Sequence, residues 1–146
     1  MKVRSLIYFI FFLTTFSCLT AQEDSKEFFL DQASTAIAKA RKEMLTHKKN
    51  DMNGRLAKAM LLQYYAINLY KKDKSSNKFM CSSAAAWNYA IEIIKDIDGK
   101  VSSGYLMTEK EQKLLNSCMS KEELLLESKK NATNFSETEE DYLNPD

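Results

Sequence analysis

Apolar residues recur at steps of three and four along most of the chain after residue 24, and this spacing predicts amphipathic helices. The pattern is densest in residues 77–98, where a run of small residues precedes the single tryptophan and aliphatic residues follow it. We predict that this segment is the central and most buried helix of the protein. The residues on its main apolar stripe are Met80, Ala84, Trp87, Ile91 and Ile94.

The same spacing predicts helices at about residues 25–47 and 54–72, and the second of these carries two neighbouring apolar stripes. A helix with two such stripes is usually buried on more than one side. A fourth helix is predicted to begin at Thr108, which forms a capping-box pattern with Glu111. The same pattern recurs at Ser120 and predicts a break or a new helix there.

The chain holds three glycines and one proline, too few for a turn-rich β-sandwich or barrel. Gly99 follows the central helix at a point where a glycine in the left-handed conformation would end it. Short polar segments join the predicted helices. We therefore predict an all-α fold, either a small bundle of four to five helices or a set of stacked helical hairpins.

The N-terminal segment is of a different kind. Two basic residues precede an apolar run over residues 6–16, and a small residue, Ala21, precedes the charged sequence that follows. This arrangement predicts a cleaved signal peptide at residues 1–21 and hence an exported protein, secreted or periplasmic. Two alternatives stay open: an uncleaved membrane anchor, or a lipid anchor attached through Cys18. We expect membrane association only in those two cases.

The C-terminal segment becomes acidic, since residues 120–146 contain three lysines and eight carboxylates. We predict a helical domain over residues 22–130 and an acidic, disordered tail over residues 131–146. Asn131 and Asn134 begin two N-glycosylation motifs, which have a meaning only if the host is eukaryotic.

Two cysteines, Cys81 and Cys118, remain after removal of the signal peptide. An even number of cysteines in an exported domain permits a disulfide. In a simple antiparallel hairpin Cys81 would face a residue near Leu125, too far from Cys118 for a bridge, but a helix break at Ser120 would close that gap. A disulfide and two free buried thiols both stay open.

Basic residues are concentrated in residues 39–78, which contain eleven of them and three acids. This segment is a candidate interaction face for an acidic partner, although a solvated helix surface explains the same charges. The formal net charge of +1 and the predicted export both argue against nucleic acid as the partner. The face we select comprises Lys39, Arg41, Lys42, Lys48 and Lys49.

Aromatic residues on the second and third helices form a second candidate site, a pocket for a small apolar ligand between the two helices. Aromatic residues at helical spacing also form ordinary cores, so this interpretation competes with simple packing. The pocket would be lined by Tyr64, Tyr65, Trp87 and Tyr89.

We expect no metal site and no cofactor. His47 is the only histidine, and the chain has neither an H-E-x-x-H motif nor paired cysteine ligands. A lone histidine among lysines at a helix end is typical of a surface residue that pairs with the helix dipole. A calcium loop placed on residues 94–105 would have Ile94 and Tyr105 where its first and twelfth ligands belong.

The sequence therefore favours an exported, non-enzymatic helical domain that acts by binding an unknown protein partner. A carrier of a small apolar ligand is the alternative, and an enzyme is a third.

Overall fold

The computed structural model describes residues 26–133, in which every regular element is a helix. The all-α class is confirmed, with five α-helices and no strand within that range. The predicted signal peptide, Cys18 and residues 134–146 of the predicted tail lie outside the described residues. No helix in residues 26–133 is long and apolar enough to cross a membrane. The helices are α1 (residues 26–47), α2 (Asn53–Lys72), α3 (Lys78–Asp98), α4 (Glu109–Ser117) and α5 (Lys121–Thr133).

Local sequence signals set the helix ends. Gly99 ends α3 with φ of 70°, a left-handed conformation that costs glycine little because it has no Cβ. Thr108 and Glu111 form the capping box of α4. The second box confirms the break between α4 and α5, since the backbone N–H of Ser120 donates to Glu123 at 2.9 Å and that of Glu123 donates back to the Ser120 hydroxyl at 3.2 Å.

α5 ends three residues beyond the domain boundary predicted after residue 130. Asn131 remains helical, and its side-chain amide donates to the carbonyl oxygen of Glu127 at 2.8 Å. Ala132 is half-buried beside α2. The predicted boundary rests on the fall in hydrophobicity along the sequence, and hydrophobicity alone does not indicate these contacts.

α3 is the centre of the core, as its apolar pattern predicts. Trp87 is 1% exposed and packs edge-on against Phe28 and Phe29 of α1, with ring centroids 6.1 and 6.5 Å away. Its indole N–H donates to the carbonyl oxygen of Tyr105 at 2.8 Å, so the buried polar group has a partner. The buried residues of α3 are Phe79, Ser82, Ser83, Ala84, Ala85, Ala86, Trp87, Tyr89, Ala90, Ile93 and Ile94.

The three long helices pack with α1 and α3 parallel and α2 antiparallel to both. Ser83, near the start of α3, donates to the carbonyl oxygen of Phe29 near the start of α1. Arg55, near the start of α2, pairs with Asp96 near the end of α3. The C-terminal ends of α1 and α3 therefore lie side by side.

Candidate functional site

The two cysteines meet at the junction of three helices. The Sγ atoms of Cys81 and Cys118 lie 2.01 Å apart and their Cα atoms 5.7 Å apart, which is the geometry of a disulfide. The pairing is possible because α4 ends at Ser117, so Cys118 lies outside the helix and not along a straight hairpin. Of the two alternatives left open by the sequence, the structure has the bridge and not the separate thiols.

The five selected basic residues lie along the second half of α1 and in the turn that follows it. Lys39 donates to Glu43 one turn further along α1. Arg41 and Lys42 are exposed and line a groove between α1 and α2. Lys48 and Lys49 lie at the turn that leads into α2. A single interaction face made of all five residues therefore stays a prediction.

The four aromatic residues of the predicted pocket differ in their exposure to solvent. Trp87, Tyr89 and Tyr65 are buried core residues, whereas Tyr64 is 45% exposed on the side of α2 that faces α1. The Tyr65 hydroxyl donates to Glu127 of α5 at 3.3 Å, and Lys121 lies 4.7 Å from the centroid of the Tyr89 ring. Tyr64 and Tyr65 both line a small cavity between α2 and α5, and Trp87 and Tyr89 line neither that cavity nor the space between α1 and α2. A ligand pocket shared by all four side chains stays a prediction.

Burial raises the pKa of the Tyr65 hydroxyl, and the nearby Glu127 carboxylate raises it further. Burial also raises the pKa of Tyr89, with smaller contributions from Glu122 and Glu92. Both phenols stay neutral at physiological pH, because a raised pKa keeps the proton on the hydroxyl.

A groove between α1 and α2 exposes several large apolar side chains. It has a volume of about 600 Å³ and is open to solvent along one side. Leu45 is 72% exposed and Met60 is 48% exposed, and both lie in it together with Tyr64. The full lining is Ser34, Ile37, Ala38, Arg41, Lys42, Leu45, Thr46, Met60, Gln63, Tyr64 and Ile67.

A buried hydrogen-bond network holds the floor of this groove. The side-chain amide of Gln63 donates to the carbonyl oxygen of Leu30 and to the hydroxyl of Ser34, both at 2.8 Å. Its carbonyl oxygen lies 2.8 Å from the hydroxyl of Ser83 on α3. A buried amide with all these partners joins three helices and fixes their separation.

Sequence reasoning missed the groove but contained its signal. The two apolar stripes of α2 predict burial on two sides. Met60 and Ile67, which belong to one of these stripes, line the groove, and about half of the Met60 side chain is exposed. When neighbouring helices do not fully cover the second apolar stripe of a helix, part of that stripe stays exposed.

A second cluster lies where the ends of α1 and α3 meet. His47 Nε2 lies 3.5 Å from Glu43 Oε2 and 3.7 Å from Asp98 Oδ1. Lys39 contacts the other oxygen of Glu43, and this hydrogen bond lowers the pKa of the Glu43 carboxyl and raises that of Lys39. Sequence reasoning placed His47 at the surface, which is confirmed, but gave no indication that Asp98 would lie beside it.

Comparison of the chain with models of known protein families, with curated proteins and with solved structures finds no match in any of the three. The assignment of a function therefore rests on the groove, the disulfide and the cluster at the helix ends.

Proposed function

We propose that the chain is an exported, non-enzymatic binding domain whose α1–α2 groove holds an amphipathic, acidic helix of a partner protein. The observation that carries the proposal is the exposure of Leu45, Met60 and Tyr64 together on two adjacent helices. Large apolar side chains that share an open groove are typical of a site for another protein segment.

The shape of the groove favours a polypeptide over a small molecule. Sites for small ligands generally enclose most of the ligand surface. The α1–α2 groove is open along one side, so a small molecule bound in it would keep much of its surface in solvent. A helix laid between α1 and α2 would place one apolar face on Leu45 and Met60 and leave its other face in solvent.

The charges at the groove favour an acidic partner. Arg41 and Lys42 belong to the lining, which includes no carboxylate. Both are exposed, so they can reach acidic residues that flank the apolar face of a bound helix. Charges at the rim of an interface act mainly on the choice of partner and on the association rate.

The rigid floor of the groove supports binding with little rearrangement. Gln63 lines the groove and is anchored to α1 and α3 by its hydrogen bonds. A surface that is already ordered loses less conformational entropy when a partner binds.

Export is part of the proposal, and the Cys81–Cys118 bridge supports it. Structural disulfides persist in oxidising compartments and are rare in the cytosol.

Site-specific photocrosslinking tests the proposed groove. A photoreactive amino acid would replace Leu45 in one variant and Leu126 in the control, since Leu126 is 55% exposed on α5 and lies outside the groove lining. In the native host we expect a protein adduct from position 45 and none of that mass from position 126. The crosslinked segment should be amphipathic and acidic by mass spectrometry. Equal adducts from both positions, an adduct with a second copy of the chain, or only a low-mass adduct would each reject the proposal.

Charge reversal then tests the rim with the identified segment as a synthetic peptide. Reversing Arg41 and Lys42 to glutamate should weaken binding about tenfold, since two exposed ion pairs together contribute about 1–2 kcal/mol. The matched control reverses Lys48 and Lys49, which lie outside the groove and should change affinity little. Fluorescence anisotropy of a labelled peptide measures the affinity of both variants. A larger loss in the control would show that the turn, and not the groove, holds the partner.

A further inference from the structure

We propose that Glu43, His47 and Asp98 bind a divalent transition-metal ion of the zinc class at the joined ends of α1 and α3. None of these residues lines the α1–α2 groove, so this site is independent of the proposed binding function.

The donor atoms have separations that suit one ion. One nitrogen or oxygen atom from each of the three residues lies within 4.8 Å of the others. His47 Nε2 lies 3.5 Å from Glu43 Oε2 and 3.7 Å from Asp98 Oδ1. Ligands about 2.1 Å from a tetrahedral zinc are about 3.4 Å apart, so small side-chain rotations complete the site.

Secondary structure places the three donors with little freedom. Glu43 and His47 are four residues apart on α1 and share one face of that helix. Asp98 is the last residue of α3, and the left-handed Gly99 turns the chain away directly after it. Because α1 and α3 run parallel, both ends come to the same place on the surface.

The neighbours of Glu43 also suit a metal ligand. Lys39 contacts Glu43 Oε1, while Oε2 is the oxygen that faces His47. The lysine thus orients the carboxylate without occupying the oxygen that would meet the ion. Hydrogen bonds of this kind to the outer atom of a ligand are a regular part of protein metal sites.

The donor set selects the class of ion. One imidazole nitrogen with two carboxylate oxygens suits zinc and its neighbours, whereas calcium and magnesium prefer shells made only of oxygen. Three protein ligands leave the fourth position of a tetrahedral ion open to water.

Because His47 is the only histidine in the chain, its imidazole resonances report on this site alone. The experiment is a titration of the purified, nitrogen-15-labelled protein with Zn²⁺, followed by NMR of the imidazole. We expect the His47 resonances to shift and to saturate at one equivalent. A parallel titration with Ca²⁺ should leave them unchanged. Resonances that do not move with Zn²⁺, or that respond equally to Ca²⁺, would overturn the proposal without any variant.

Single substitutions then identify the oxygen ligands. Asp98→Asn and Glu43→Gln should each weaken Zn²⁺ binding about tenfold or more. The matched control is Asp96→Asn, which removes a carboxylate two residues earlier on α3 that pairs with Arg55. Trp87 fluorescence verifies that each variant is folded. If Asp96→Asn weakens Zn²⁺ binding as much as Asp98→Asn, the weaker binding results from the lower negative charge of the surface, and the assignment of Asp98 as a ligand is wrong.

Discussion

Removal of the Cys81–Cys118 bridge should greatly reduce the stability of the domain. The bridge joins residues separated by 37 positions in the sequence. In the chain-entropy description, closing an unfolded loop of that length costs about 13 cal/mol/K. At room temperature this corresponds to about 3.8 kcal/mol of stabilisation that the reduced protein lacks. Small domains have total stabilities of about 5–15 kcal/mol, so the loss is a large part of the whole.

The loss of stability should affect α4 before the other helices. This helix has nine residues, of which only Leu115 is buried. Isolated helices of that length are marginal in water, so α4 depends on its attachments, and the bridge at Cys118 is one of them. After reduction, amide hydrogen exchange should rise more in α4 than in α3, because α3 keeps its many buried core residues without the bridge.

Urea unfolding followed by Trp87 fluorescence measures the difference between oxidised and reduced protein. With a typical slope of about 1.5 kcal/mol/M, the midpoint should fall by roughly 2–3 M on reduction. The control is the Cys81→Ala/Cys118→Ala variant, which should resemble the reduced protein and should not respond to reductant. A difference in unfolding free energy below about 1 kcal/mol would refute the loop-entropy reasoning.

Two further substitutions test the core and the helix end. Trp87→Ala should cost about 3–5 kcal/mol, because the indole fills the space against Phe28 and Phe29, and urea unfolding followed by circular dichroism measures it. A cost below about 1 kcal/mol would contradict its place in the core. Gly99→Ala should cost about 1–2 kcal/mol from the backbone alone, because φ is positive and no atom lies within 4 Å of an added Cβ. Gly104→Ala, where there is equal space and no positive φ, should not show this cost, and equal effects in the same unfolding assay would contradict the argument.

The binding site was only partly predictable from sequence. Arg41 and Lys42, two members of the predicted interaction face, line the groove, whereas Lys39, Lys48 and Lys49 are not part of its lining. Charge content along a chain shows how many cations a segment has. It does not show which of them share a surface with apolar residues of the next helix.

Local sequence determined most of the secondary structure of residues 26–133. The glycine after α3 and the capping boxes at Thr108 and Ser120 act through residues at most four positions away, so they can be read without knowledge of the fold. The burial of Trp87 is also predictable from sequence, because the residue lies on an apolar stripe of the helix and such a stripe packs against other helices.

Tertiary structure decided the features on which function depends. The register of α4 against α3 brought Cys118 to Cys81, and the parallel packing of α1 and α3 brought Asp98 to His47. The exposure of Leu45 depends on which side of α1 receives a neighbour. The first two contacts join residues that are 37 or more positions apart in the sequence. The exposure of Leu45 depends on the rotation of α1 about its axis, and each residue along a helix turns the side-chain direction by about 100°. Helical periodicity therefore specifies which residues share a stripe, while packing between helices specifies what each stripe meets.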